Sequence, residues 1–235
     1  MRATAKARAQ AIEIGLTGET VICDRSGALW LPADRTLVVS DLHLEKGSSF
    51  ARRGMLLPPY DTLVTLRLLD EAVSRYDPAI VVSLGDAFHD EEAAARMPPL
   101  WRDMLLGIMA GRDWIWVAGN HDPSRPAGLP GESLSEVAVG VLSFRHEPSR
   151  TKAAGEVAGH LHPGGRIVRR GRSVRRACFI TDGDRLILPA FGAYTGALNV
   201  LDRAFHGLFR KERLLALMLG DACLYPIAGA ALFPG

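Results

Sequence analysis

Four short words in the chain combine residue types that ligate metals or move protons: Asp41-Leu42-His43, Gly85-Asp86, Gly119-Asn120-His121-Asp122 and Gly159-His160-Leu161-His162. His146 stands by itself between the last two. Asp41, His43, Asp86, Asn120, His146, His160 and His162 together offer two carboxylates, one amide oxygen and four imidazoles. A donor set of that size could bind more than one divalent ion. Mixed N/O ligation suits Mn, Fe, Zn or Ni better than Mg or Ca, and no cysteine lies near these words to make a soft thiolate site. A turn accounts for Gly119, Asn120 and Asp122, which tolerate unusual backbone angles and cap their own amides. It leaves His121 unexplained.

The words need elements that bring them together. Three short, nearly continuous apolar runs, T-L-V-V-S (36–40), A-I-V-V-S-L (79–84) and W-I-W-V-A (114–118), have the character of strands covered on both faces. Between them, Leu63, Leu66, Leu69 and Val73 form one helical stripe, and Leu100, Met104, Leu105 and Ile108 form another. Strand, helix, strand, helix, strand implies right-handed crossovers and a largely parallel sheet. Each of the three runs ends in one of the polar words, and ligands bind at the carboxyl ends of strands in an open α/β sheet. Residues some forty positions apart in the chain would therefore converge. The second half reads as short strands (137–144, 156–159, 166–170, 173–181 and 185–188) broken by Gly, Pro or the hairpin signal Asp182-Gly183, with one more pair at 214–219 and 222–225. They predict a second, mixed or antiparallel sheet packed on the first, within a single domain spanning residues 1–235.

Composition narrows the class. The chain has 235 residues, 48% hydrophobic and 23% charged, which is ordinary for a globular protein. No apolar stretch approaches the roughly 20 residues that a membrane span needs. The N-terminal M-R-A-T-A-K-A-R-A-Q is basic, but Glu13 interrupts any apolar signal core. Cys23, Cys178 and Cys223 are odd in number and far apart, so no disulfide framework is expected and a reducing cytoplasm fits. A net charge of +2 implies no nucleic-acid partner by its sum; clustering decides that.

D-x-H, G-D, G-N-H-D, a later His and G-H-x-H, in this order over residues 41–162, resemble the calcineurin-like metallophosphoesterases. The stretches 48–62 (S-S-F-A-R-R-G-M-L-L-P-P-Y-D-T), 85–90 (G-D-A-F-H-D) and 186–196 (L-I-L-P-A-F-G-A-Y-T-G) are similar to its bacterial DNA-ligase-associated, PdeM-like subgroup. The resemblance implies an α/β fold, a β-sandwich of two mixed sheets flanked by helices in α/β/β/α layers, with strands in 166–225 completing the second sheet. It implies two metals, Mn²⁺ foremost. Asp41, His43, Asp86 and His162 would surround the first, and Asp86 would bridge to a second completed by Asn120, His146 and His160. His121 would be the proton donor, or stabilise phosphoryl charge, with Asp122 orienting its ring and keeping it protonated. Two-metal sites of this kind activate water for in-line displacement at phosphorus.

The implied activity is phosphodiester hydrolysis on DNA or another nucleic acid in a ligase-associated damage response, with ligase- or helicase-associated repair proteins as partners and no membrane. A small-molecule phosphomonoesterase or cyclic-nucleotide phosphodiesterase would use the same ligands, and a non-catalytic interaction module would have no need of them. Each word alone would be an ordinary turn; their convergence on one sheet edge argues for metal. His89 could enter the site or cap a helix starting near Asp90, and His206 reads as structural or exposed. The basic run from Arg166 to Arg176 is either a solvated edge hairpin or a phosphate contact, and Arg52 with Arg53 could steer an anion or simply lie on the surface.

Overall fold

The computed structural model describes residues 10–55, 60–151 and 154–235. Most of the basic N-terminal stretch and positions 56–59 of the 48–62 segment lie outside the described residues. The first sheet contains β1 (Ala11–Leu16), β2 (Glu19–Asp24), β3 (Leu29–Leu31), β4 (Thr36–Val39), β5 (Ile80–Leu84), β6 (Asp113–Val117) and β7 (Glu132–Leu134), side by side in chain order. β1 to β4 are antiparallel neighbours, whereas β4 to β7 run parallel. The three expected strands are β4, β5 and β6. β1 to β3 form an antiparallel extension of the same sheet that the sequence reading did not anticipate.

Helices α1 (Lys46–Arg52), α2 (Asp61–Tyr76), α3 (Ala93–Arg96) and α4 (Pro99–Met109) supply the crossovers. Alternation along the strands sorts their side chains to the two faces. Leu37, Val39 and Val81 pack with Leu66, Leu69 and Val73 of α2 and with Leu105 and Ile108 of α4. Val38, Val82, Leu84 and Val117 face the second sheet. α2 ends at Asp77, whose left-handed φ of 43° places its N–H on the Val73 carbonyl, and Pro78 cannot continue the helix. The α4 stripe differs from expectation at one end: Leu100 is 76% exposed, and Met109 takes the inward position with Leu105 and Ile108.

The second sheet contains β8 (Glu136–Val139), β9 (Leu142–Arg145), β10 (Glu156–Ala158), β11 (Pro163–Arg169), β12 (Arg172–Thr181), β13 (Arg185–Ile187), β14 (Leu198–Asn199), β15 (Leu215–Leu219) and β16 (Leu224–Ala228). Its order is β14-β11-β12-β13-β10-β9-β8, with β15 beside β12 and β16 outside β15. The sheet is mixed: β9, β10 and β13 are parallel neighbours, and the other main pairings are largely antiparallel. The run 137–144 is a hairpin rather than one strand, because Gly140 takes a positive φ and turns β8 into β9. Phe144, Val157, Phe179 and Leu217 close the core against the first sheet. On the outer face, Phe205 and Leu208, in and beside a short 3-10 turn, cover Cys178, Ile180 and Met218, so that layer is made of short turns. The three cysteines are buried and unpaired. No helix among the described residues is long and apolar enough to cross a membrane.

Candidate active site

The polar words gather where both sheets end. The segments after β4 and β5 stay paired beyond the strands: Asp41 N–H donates to the Gly85 carbonyl (3.2 Å), His43 N–H to Asp86 (2.9 Å) and His89 N–H to Leu44 (3.0 Å). From the second sheet, the Gly159 N–H donates to the His146 carbonyl (2.9 Å), which fixes the loop after β10 beside the residue after β9. Close approach demands glycine at two positions. A Cβ on Gly119 would collide with the Asp86 backbone nitrogen and Oδ1, and one on Gly159 would collide with Ser40 Oγ.

Asp41, His43, Asp86, His160 and His162 all have φ between 44° and 67°, a region that non-glycine residues seldom occupy. Such conformations persist where surrounding structure over-determines them and cluster at functional sites. Here the strained residues are the candidate ligands themselves.

The donor atoms form overlapping groups. Asp41, His43 and His162 offer three atoms within 4.8 Å of one another, as do Asp86, His146 and His160. A third group adds His89 and His121 to His43. His162 Nε2 lies 3.2 Å from Asp41 Oδ1, His43 Nε2 lies 3.4 Å from His162 Nε2, and His146 Nε2 lies 3.5 Å from Asp86 Oδ2. Asn120 is exposed, next to His121 on the same turn. Six of the seven expected ligands thus supply the donor atoms of the first two groups, where the two sheets end side by side, and Asn120 stands on the turn that carries His121.

Hydrogen bonds pre-orient several of these groups. His146 Nδ1 donates to the Leu84 carbonyl (3.1 Å), leaving Nε2 to face Asp86. Asp41 Oδ2 accepts from His160 N–H (3.0 Å) and from Ser40 Oγ, and Asp86 Oδ1 accepts from His121 N–H (2.9 Å). Asp41 Oδ1, by contrast, is fully buried without a hydrogen-bond partner. A buried carboxylate oxygen left unpaired is costly, and its neighbours here are imidazoles.

The electrostatics carry the same signature. Burial raises the Asp41 carboxyl, but the nearby His162 imidazole, with His146 and Ser40, holds it below the ordinary carboxylate range. Burial also opposes ionisation of Asp86, yet His146, the His121 amide and His43 keep it well below that range. Burial disfavours charge on His146, but Asp86 and Asp41 push it up to about 9. His43 is driven down to about 3, mainly by burial and partly by the His162 and His121 charges. Two ionised carboxylates therefore draw a proton into a cluster of imidazoles, which is where a divalent cation would take that proton's place.

One placement differs from expectation, and one open alternative is decided. Asp122 does not orient the His121 ring: its Oδ2 accepts from Phe88 N–H (3.0 Å), and His121 Nδ1 instead meets the His89 carbonyl (2.9 Å). Asp122 is buried beside Asp86, and desolvation, with the Asp86 charge, pushes its carboxyl up to about 7. His89 does not cap a helix, since α3 starts at Ala93. Its ring stacks on His121 with centroids 5.1 Å apart, and its Nδ1 lies 3.4 Å from His43 Nδ1. Its place three residues after Asp86 was the available signal. Ser40 was missed because nothing in its sequence context marks a serine at a strand end as a carboxylate partner.

The sequence pattern of the calcineurin-like phosphoesterases matches residues 34–187, which spans every candidate ligand. This chain belongs to that family. The phosphoesterase is also similar in structure to a nuclease, MPE of Pseudomonas putida, whose crystal structure superposes with a TM-score of 0.71 at 26% identity, covering 92% of this chain and 100% of that one. A comparison with curated protein sequences gave no match. The phosphoesterase is thus a metal-dependent hydrolase of phosphoric esters, of a family that typically holds two divalent metals. Its residues fit such ions: an orphaned Asp41 oxygen, His146 turned by a carbonyl toward Asp86, and N/O donors only.

Proposed function

We propose that this phosphoesterase hydrolyses phosphodiester bonds in nucleic acid, with Mn²⁺ as its working metal. We place it in a ligase-associated DNA damage response of the PdeM-like kind, with repair proteins as partners. Asp41, His43, Asp86 and His162 would hold one ion, and Asp86, Asn120, His146 and His160 the other. What carries the reading is the pair of separate donor groups, Asp41/His43/His162 and Asp86/His146/His160, each built on one buried carboxylate. The similarity to a nuclease supports nucleic acid over small esters. Bound divalent ions supply the positive charge that polarises a phosphoryl group and acidifies water for in-line attack.

The chain's own groups do the rest. His121 is 44% exposed on its side chain, the most open imidazole facing Asp86, and its Nε2 lies 4.0 Å from Asp86 Oδ2. It is positioned to hand a proton to the departing oxygen. Asp122 positions the segment carrying Asp86 through the Phe88 amide.

The test offers the Mn²⁺-loaded chain a small aryl phosphodiester, a phosphomonoester and single-stranded DNA. Cleavage of the diester and of DNA, with a much slower monoester, is expected. Turnover of small esters without DNA would overturn the substrate; no turnover of any of them by metal-loaded protein would overturn the catalytic reading.

A further inference from the structure

The residue after His162 begins β11, which pairs with β12 in a two-stranded ribbon. Residues 166–176 contain six arginines and no acidic residue, while the whole chain carries only +2, so the rest of the protein is net negative. The turn has positive φ at both Arg170 and Gly171, the geometry of a tight hairpin matched to strand twist. Residues 168–176 are exposed on both faces. The ribbon therefore projects beyond the sheet instead of packing on it.

Its arginines divide into two sets. Arg166 donates to the Pro234 carbonyl and to Ser173 Oγ, Arg175 donates to the Ala197 carbonyl, and Arg176 lies 3.7 Å from Asp221. These anchor the base. At the tip, Arg169 and Arg172 are directly opposite each other, so they share a face, and Arg170 sits in the turn. Among the described residues, these three have neither an acidic partner nor a hydrogen-bond acceptor. Three unneutralised guanidiniums side by side repel one another, a repulsion that an anion bound among them relieves.

We infer that the Arg169, Arg170 and Arg172 tip binds the phosphate backbone of a nucleic-acid strand whose scissile bond lies at the metal site. The inference rests on the nucleic-acid reading above and adds a length requirement to it. β11 has 7 residues, and at about 3.3 Å per residue its tip stands roughly 23 Å from His162. A strand advancing about 3.4 Å per nucleotide spans that distance in roughly seven nucleotides. Arginine forks pair with phosphate oxygens without reading sequence, so the ribbon adds affinity for long substrates of any sequence.

The experiment uses the full Mn²⁺-loaded chain, the charge-removing variant Arg169→Ser/Arg170→Asn/Arg172→Ser and the charge-keeping variant Arg169→Lys/Arg170→Lys/Arg172→Lys. Each is measured on a small aryl phosphodiester, a tetranucleotide and a 30-nucleotide single strand across a salt series. For the 30-mer, the charge-removing variant should lose roughly 30- to 100-fold in affinity near 0.1 M salt. Its log-log salt slope should flatten by about 2, as expected for three lost backbone contacts. The lysine variant should keep the slope, and the tetranucleotide and aryl ester should show no difference among the three proteins. An unchanged slope and affinity on the 30-mer, or an equal loss on the tetranucleotide, would overturn the inference while leaving the nucleic-acid reading standing. Wild-type protein that turns over the aryl ester but neither binds nor cleaves the 30-mer would overturn both.

Discussion

The His121 ring is held by the backbone of another histidine: its Nδ1 lies 2.9 Å from the carbonyl oxygen of His89. A carbonyl can only accept, so Nδ1 carries a proton, and Nε2, turned toward Asp86 and the substrate side, is the nitrogen from which the imidazolium form would release its second proton. His121→Ala should keep both metals and slow cleavage of DNA, whose leaving group is a poorly stabilised alkoxide, by roughly 10²–10⁴-fold. An aryl ester that departs without a proton should be slowed far less. Equal slowing on both substrates, or loss of metal measured on the purified variant, would remove His121 from the proton-donor role.

Asp86 faces both donor groups, with His43 Nε2 at 3.9 Å and His146 Nε2 at 3.5 Å from its Oδ2, while its Oδ1 accepts the His121 amide. Asp86→Asn keeps an oxygen for that amide but removes the charge. Metal affinity should fall by more than the roughly 10–100-fold typical of removing an outer partner. Metal content after dialysis checks this, with two ions per chain retained in the variant as the outcome that refutes it.

Asp122 and His121 are neighbours in sequence, yet the carboxylate serves Phe88. An amide oxygen can accept the same N–H, so Asp122→Asn should stay close to wild type in stability and turnover. Asp122→Ala leaves the buried Phe88 amide unpaired and should cost about 1–3 kcal/mol, read from urea midpoints. If the carboxylate instead acted through its charge on His121, the Asn and Ala variants would lose turnover equally.

These cases mark what the sequence could disclose. Asp41, Asp86, Asn120 and His160 were legible because apolar runs end where they stand, and strand ends share an edge. The partners of His121 and Asp122 were not, because both are backbone groups of residues 88 and 89, placed by pairing of two loops with no side-chain signature. β1 to β3 escaped notice for a related reason: Ile12, Glu13, Ile14 and Gly15 alternate too briefly to outweigh a loop. The long run from Arg166 to Arg176 was visible, but only the pairing register separates anchoring arginines from free ones.

Away from the site, Asp24 ties the end of α2 to the turn after β2. It is 1% exposed, and its Oδ2 accepts from Arg75 and from the Tyr76 hydroxyl, each at 2.7 Å. Burial by itself would raise its carboxyl, but the Ser26 amide, Tyr76, the Ser26 hydroxyl and Arg75 together lower it. A carboxyl whose folded value is lowered stabilises the fold fully above its unfolded value of about 3.9 and loses that contribution as pH falls through the folded value. Asp24→Asn should therefore be less stable than wild type by roughly 1.5–3 kcal/mol at pH 7, the range for hydrogen bonds to charged groups. The gap between the two proteins should narrow as pH drops below about 4. Urea unfolding of both at pH 7 and pH 3 measures it, and a gap that stays constant or widens in acid would show that the Asp24 charge contributes nothing to the tie.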